Sequence, residues 1–129
     1  MISGLQNGLK KRMTDLFEGQ KYKTLDGKRK EIVIHEQYLP QSSYEEDQVK
    51  DFPYLIIRVS DGNDSVDGME KSDMTVHFVI GIYDDALDQQ GYKDVISVIE
   101  KIKLSLVENK CIERKYLVNG KIQWAITDE

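Results

Sequence analysis

The chain has 129 residues and a single cysteine, Cys111, a length that carries one hydrophobic core and excludes most multi-domain enzymes, an intramolecular disulfide framework and a cysteine-built zinc site. With 40% hydrophobic and 32% charged residues and two prolines, it reads as a soluble globular domain of a reducing compartment. The net charge of −5 is unevenly spread: residues 36–100 hold four basic and fifteen acidic side chains, which opposes wrapping of a polyphosphate backbone and excludes nucleic acid as a specific ligand.

The first residues show no signal-peptide core, because polar residues interrupt every apolar pair, and the longest nearly apolar stretch, 54–59, is far short of the roughly 20 residues of a membrane-spanning helix. Leu5, Leu9, Met13 and Leu16 or Phe17 recur every three to four residues and predict an amphipathic helix with Ser3 as N-cap and Gly19 as stop. Lys10-Lys11-Arg12 and Lys28-Arg29-Lys30 are read as solvated helix and turn charges rather than a positive binding surface. After an Asp26-Gly27 turn, Glu31-Ile32-Val33-Ile34-His35 predicts a first strand, and the polar stretch 40–51 a loop.

Residues 54–59 form a second predicted strand, apolar on both faces apart from Arg58 and therefore placed inside the sheet, with Pro53 at its entrance. A long polar tip, 61–68, joins it to a third strand over 74–83, giving a hairpin. Tyr92, Val95, Ile96, Ile99, Ile102 and Leu106 keep helical spacing and predict a second helix over 91–108, with Asn109 in its C-cap region. Tyr116-Leu117-Val118, the Asn119-Gly120 turn and residues 122–126 predict a closing hairpin. The order α-β-β-β-α-β-β describes a single α+β domain with two helices on a mostly antiparallel sheet of about five strands. Such a sheet, apolar on both faces and served by only two helices, leaves apolar area or a strand edge uncovered, a surface that usually meets another subunit.

Little in the chain points to catalysis or to a cofactor. His35 and His77 fall in predicted strands without the further ligands a metal needs, and are read as half-buried strand histidines. No serine or cysteine sits in a nucleophile elbow, Cys111 has no histidine near it in sequence, and no Gly-rich loop opens a helix after a strand. Asp61, Asn63, Ser65 and Asp67 alternate as calcium-loop ligands do, but Val66 stands where the turn glycine belongs and Ser72 where the bidentate glutamate belongs, so the segment is read as a hairpin tip. The carboxylate runs Glu45-Glu46-Asp47 and Asp84-Asp85 lack a desolvated pocket that separates their pKa values. Trp124 and Tyr54, Tyr83, Tyr92 and Tyr116 are expected in the core.

Three strings bear a family likeness: Pro53-Tyr54-Leu55-Ile56-Ile57-Arg58-Val59-Ser60-Asp61-Gly62, then Val79-Ile80-Gly81-Ile82-Tyr83-Asp84, then Gln90-Gly91-Tyr92-Lys93-Asp94-Val95 with Ile99-Glu100-Lys101-Ile102. In this order, over residues 50–106, they resemble small tail proteins of siphophages and prophages, the tail-terminator or head-tail joining group. The resemblance implies an α+β subunit that assembles as a ring, expected as a hexamer. Such a ring caps the tail tube and offers a surface to the head connector, in the virion tail and, during assembly, in the host cytoplasm. It implies no catalysis, cofactor or metal. On that reading Glu45, Glu46, Asp47, Asp61, Asp64, Asp67 and Asp73 face partners or the ring lumen, where negative charge eases DNA passage by repulsion. The alternative is a small ligand-binding or regulatory domain with a pocket between the helix over 91–108 and the sheet. An enzyme ranks third and requires His35 or His77 close to Cys111 or to a carboxylate cluster.

Overall fold

The computed structural model describes residues 2–24, 28–39, 52–66, 72–83 and 90–126. Helix α1 spans Ile2–Phe17 and buries Leu5, Leu9, Met13 and Phe17, one row at four-residue spacing. It starts ahead of Ser3, which therefore lies in the first turn rather than at the N-cap. Gly19, at φ 80°, takes the left-handed conformation that ends the helix.

The predicted first strand is two strands. Strand β1 (Lys21–Lys23) pairs antiparallel with β2 (Arg29–Glu31), Tyr22 opposite Lys30, while the connecting turn around Asp26-Gly27 lies outside the described residues. The chain changes partner at Ile32, whose side chain is buried, and continues as β3 (Val33–Glu36). Strand β3 runs parallel to β4 (Tyr54–Asn63), with Val33 opposite Tyr54 and Glu36 opposite Ile57. This sheet is thus mixed, while the other strand pairs described are antiparallel, so pairing is mostly antiparallel as expected but divided among three sheets. In sequence, residues 37–53 separate β3 from β4, a length that suits the long connection a parallel pair requires.

Strand β4 is the central strand of three, flanked by β3 and by antiparallel β5 (Asp73–Gly81). Leu55 and Ile57 are fully buried toward the helices, and Ile56, on the opposite face, is buried as well, as its apolar run predicts. The hairpin extends further than expected, with Asp61, Gly62 and Asn63 paired to Thr75, Met74 and Asp73. An irregularity between Val59 and Asp61 interrupts the register. Val59 lies opposite Val76 and Asp61 opposite Thr75, so the two residues project from opposite faces of the sheet.

Helix α2 spans Gln90–Glu108 and packs on the same face as α1. Its buried row is Asp94, Val98, Ile102 and Leu106, whereas Val95, Ile96 and Ile99 flank it half-buried and Tyr92 is exposed. The sequence stripe is therefore rotated. So many positions of α2 are apolar that the choice among faces is made by what packs beneath, here Leu55 and Ile57.

After α2 the chain departs most from expectation. A tight hairpin forms from β6 (Cys111–Ile112) and β7 (Tyr116–Leu117), and residues 118–126 form no strand, so the Asn119-Gly120 hairpin is absent. Glu113 and Arg114 both take positive φ, 53° and 60°, and Lys115 N–H bonds Ile112 C=O at 3.1 Å, the geometry of a type I′ turn. Ile112 enters the core cluster and thereby anchors the hairpin. Gly8 makes room for it: a Cβ there would stand 2.9 Å from Ile112 Cγ2 and 2.6 Å from Glu113 Cγ. The whole described chain thus has two helices and seven strands in three small sheets, an α+β architecture.

Arg12 ties the pieces together. Its guanidinium donates to the carbonyls of Asn109 and Cys111 at 2.8 Å each and of Ser105 at 3.3 Å, joining α1 to the C-terminal end of α2 and to β6. This corrects its reading as a solvated charge. Arg12→Met is expected to lower stability by about 1–2 kcal/mol in urea melts, and Arg12→Lys to recover only part of it, because an ammonium cannot span three carbonyls as the planar fork does.

Tyr22 supplies a second test. Its hydroxyl is buried without a hydrogen-bond partner among the described residues, and burial first, then the nearby Asp94 carboxylate, push its pKa above the usual value. The folded state then holds this proton more tightly than the unfolded chain does, so the contribution is intact below pH about 10 and declines as pH rises past it. Tyr22→Phe is expected to cost less than about 1 kcal/mol at pH 7 and to flatten the loss of urea midpoint above pH 10. A wild-type slope retained in Tyr22→Phe would contradict this assignment.

Candidate interaction surface

The acidic residues singled out in the sequence divide into three kinds of place. Glu45, Glu46, Asp47 and Asp67 lie outside the described residues. Asp61 and Asp73 belong to strands β4 and β5 rather than to a loop, and both are exposed. Asp64 follows the last paired residue of β4 and is also exposed. Asp61 and Asp73 share one sheet face with Asn63, Thr75 and His77, so the far end of the hairpin carries carboxylates on the side turned away from the helices.

That face continues toward the middle of the sheet as Arg58 and His77, then His35, Ile56 and Val79, then Val33, Tyr54 and Gly81. The ring of Tyr54 lies across Gly81, where a Cβ would stand 2.2 Å from ring atoms, and packs against Phe52 with centroids 5.2 Å apart. Arg58 is held toward the β3 side: its Nε donates to the Gln37 carbonyl at 2.8 Å, and its guanidinium carbon lies 5.0 Å from the Tyr38 ring centroid. His35 and His77 sit on different strands with Ile56 and Arg58 between their rows. Among the described residues no group of three or more His, Cys, Asp and Glu is placed to hold a metal ion. Cys111 belongs to the hairpin packed on α1, on the helix-covered side, whereas the histidines project from the other face.

The space between α2 and the sheet, where a ligand pocket was envisaged, is filled by Val98, Leu55 and Ile57, each fully buried. A shallow hollow of about 300 Å³ lies instead at the outer seam of the helices, lined by Arg12, Leu16, Lys101 and Leu104. No described helix is long and apolar enough to cross a membrane.

Two features of the surface were placed differently by sequence reasoning. Trp124 and Tyr92, expected in the core, are 64% and 55% exposed, while Tyr54, Tyr83 and Tyr116 are half-buried. The second feature is Gln37, which drew no attention in the sequence. At φ 68° it leaves the strand, yet its N–H bonds Ile57 C=O at 2.9 Å and its side-chain Oε1 accepts from Val59 N–H at 2.7 Å. Gln6 of α1 donates to the same oxygen. The Gln37 amide thus extends the β3 pairing by one residue and pins α1 to it. An amide followed by an aromatic at a strand end is too common a pattern to have announced this.

The edges of the sheet are open on both sides, with β3 and β5 each paired only to β4 among the described residues. A scan of the chain against protein-family models found no match, and neither did searches of curated proteins and of solved structures.

Proposed function

We propose that this protein is a structural component of a phage or prophage tail, a tail-terminator or head-tail joining subunit that assembles as a ring at the end of the tail tube. The family reading rests on the three strings within residues 50–106. The observation that carries the mechanism is the separation of charge on one subunit. The β4–β5 hairpin, residues 61–73, holds five acidic side chains and one basic, while residues 110–121, around the β6–β7 hairpin, hold four basic and one acidic. Two unlike patches on one subunit favour a heterologous contact, each copy presenting its basic hairpin to the acidic hairpin of the next, and a rotation that closes makes a ring. Ring size, expected as six, and the pairing with tail tube and head connector follow the family likeness. Acidic side chains lining such a ring would repel passing DNA and keep it from adhering.

Self-association is measured by light scattering across protein concentration and salt. The expected mass grows with concentration and shrinks as ionic strength rises, since the steering patches are solvent-exposed. Reversing Asp64 and Asp67 together to lysine is expected to leave the melting temperature of the subunit within about 2 °C while impairing head-to-tail joining in a reconstituted tail assay. Unchanged joining by this variant would remove the acidic hairpin from the mechanism.

A further inference from the structure

Residues 121–126, Lys-Ile-Gln-Trp-Ala-Ile, follow the two-residue period of a strand, with Ile122, Trp124 and Ile126 on one side. Among the described residues they have no strand partner and no hydrogen bond, and Ile122 and Trp124 are 41% and 64% exposed. A β-forming stretch that displays an indole and bare backbone to water is a strand without a sheet. The same molecule displays the complement, since among the described residues β5 is a long strand paired along one side only.

We propose that residues 121–126 of one copy add as a strand to the β5 edge of a second copy. The inference rests on the self-assembly reading above and names the contact that performs it. Length selects the edge: the segment has six residues, β5 has nine, and the other open strand, β3, has four. Side chains agree with that choice. Met74, Val76, Phe78 and Ile80 form the helix-facing side of β5 and stay partly exposed, so Ile122 and Trp124 beside them continue an apolar face that is already there. Charge selects the occupant and the direction. With Lys121 next to Asp73, the basic residues 110–121 meet the acidic hairpin of the neighbour, and Asp128 and Glu129 are carried away from it, so the added strand runs parallel to β5. An antiparallel addition would bring Asp128 and Glu129 to the acidic end. Because donor segment and acceptor edge are different places on one subunit, each copy donates once and accepts once, a heterologous arrangement that makes a ring where the rotation closes.

The test compares the full chain, a chain ending at Gly120, Trp124→Asp, Lys121→Glu, and Lys121→Glu combined with Asp73→Lys, by light scattering over a concentration series. None of the altered residues that the structure describes belongs to the core cluster, so helical circular dichroism is expected to be unchanged in all of them. Truncation and Trp124→Asp are expected to raise the dissociation constant for self-association by more than about 100-fold. Lys121→Glu is expected to raise it about tenfold, and the added Asp73→Lys to restore it. A chain ending at Gly120 that forms the same oligomer as the full chain would overturn the strand addition and leave the ring reading standing. A full chain that stays monomeric to millimolar concentration would also overturn it, and the joining assay then judges the ring reading by itself.

Discussion

One guanidinium holds the architecture. Arg12 reaches out of α1 to three carbonyls: that of Ser105 in the last turn of α2, which also accepts from Asn109 N–H at 3.1 Å, that of Asn109 just beyond the helix, and that of Cys111 at the start of β6. It thereby joins α1 to the end of α2 and to the start of the β6–β7 hairpin. The apolar consequences follow. With the end of α2 fixed, Val98, Ile102 and Leu106 lie over Leu55 and Ile57, and Ile112 closes the cluster beside Leu5 and Leu9. Burying each of these side chains stabilises the fold by roughly 1.5–3 kcal/mol, but burial has no direction, and the polar clamp supplies it.

The sheet has two different sides for the same reason. Both helices occupy one face, so Ile34, Leu55, Ile57, Phe78 and Ile80 share a core while His35, Arg58 and His77 look the other way. Gln37 reconciles the two sides at the end of β3, where its side-chain amide takes the pairing role that the turning backbone gives up. Among the described residues β5 is paired along one side only, and the strand addition proposed above acts on its other side.

Much of this was legible in the amino-acid order, and the exceptions have a common cause. The periodicity of Leu5, Leu9, Met13 and Phe17 placed α1 and its buried face, and the unbroken apolar run of Tyr54 to Val59 placed a central strand. The buried row of α2 was misassigned because its apolar residues cover too much of its circumference for a moment to pick one side. The parallel direction of β3 relative to β4 was not legible because the apolar pattern of either strand suits both directions. The two hairpins after α2 were exchanged. Asn119-Gly120 has the better turn residues, yet Glu113-Arg114 makes the turn, since Ile112 and the Cys111 carbonyl have tertiary partners that residues 122–126 lack. The acidic hairpin was found as a region and misjudged as a loop, its strands running three paired rows further than the apolar pattern does.

The irregularity at Ser60 shows how little it takes to change the character of a ribbon. Val59 and Asp61 are two positions apart, and in an unbroken strand they would share a side, sending the aspartate in beside Met74. The additional residue reverses odd and even from that point on, so an oily plank over residues 54–59 becomes a wetted paddle over residues 61–63 without a change of strand. Its outer end is thereby a module whose solvent side can be rewritten residue by residue, while the inner end, under the helices, tolerates only substitutions of matching shape.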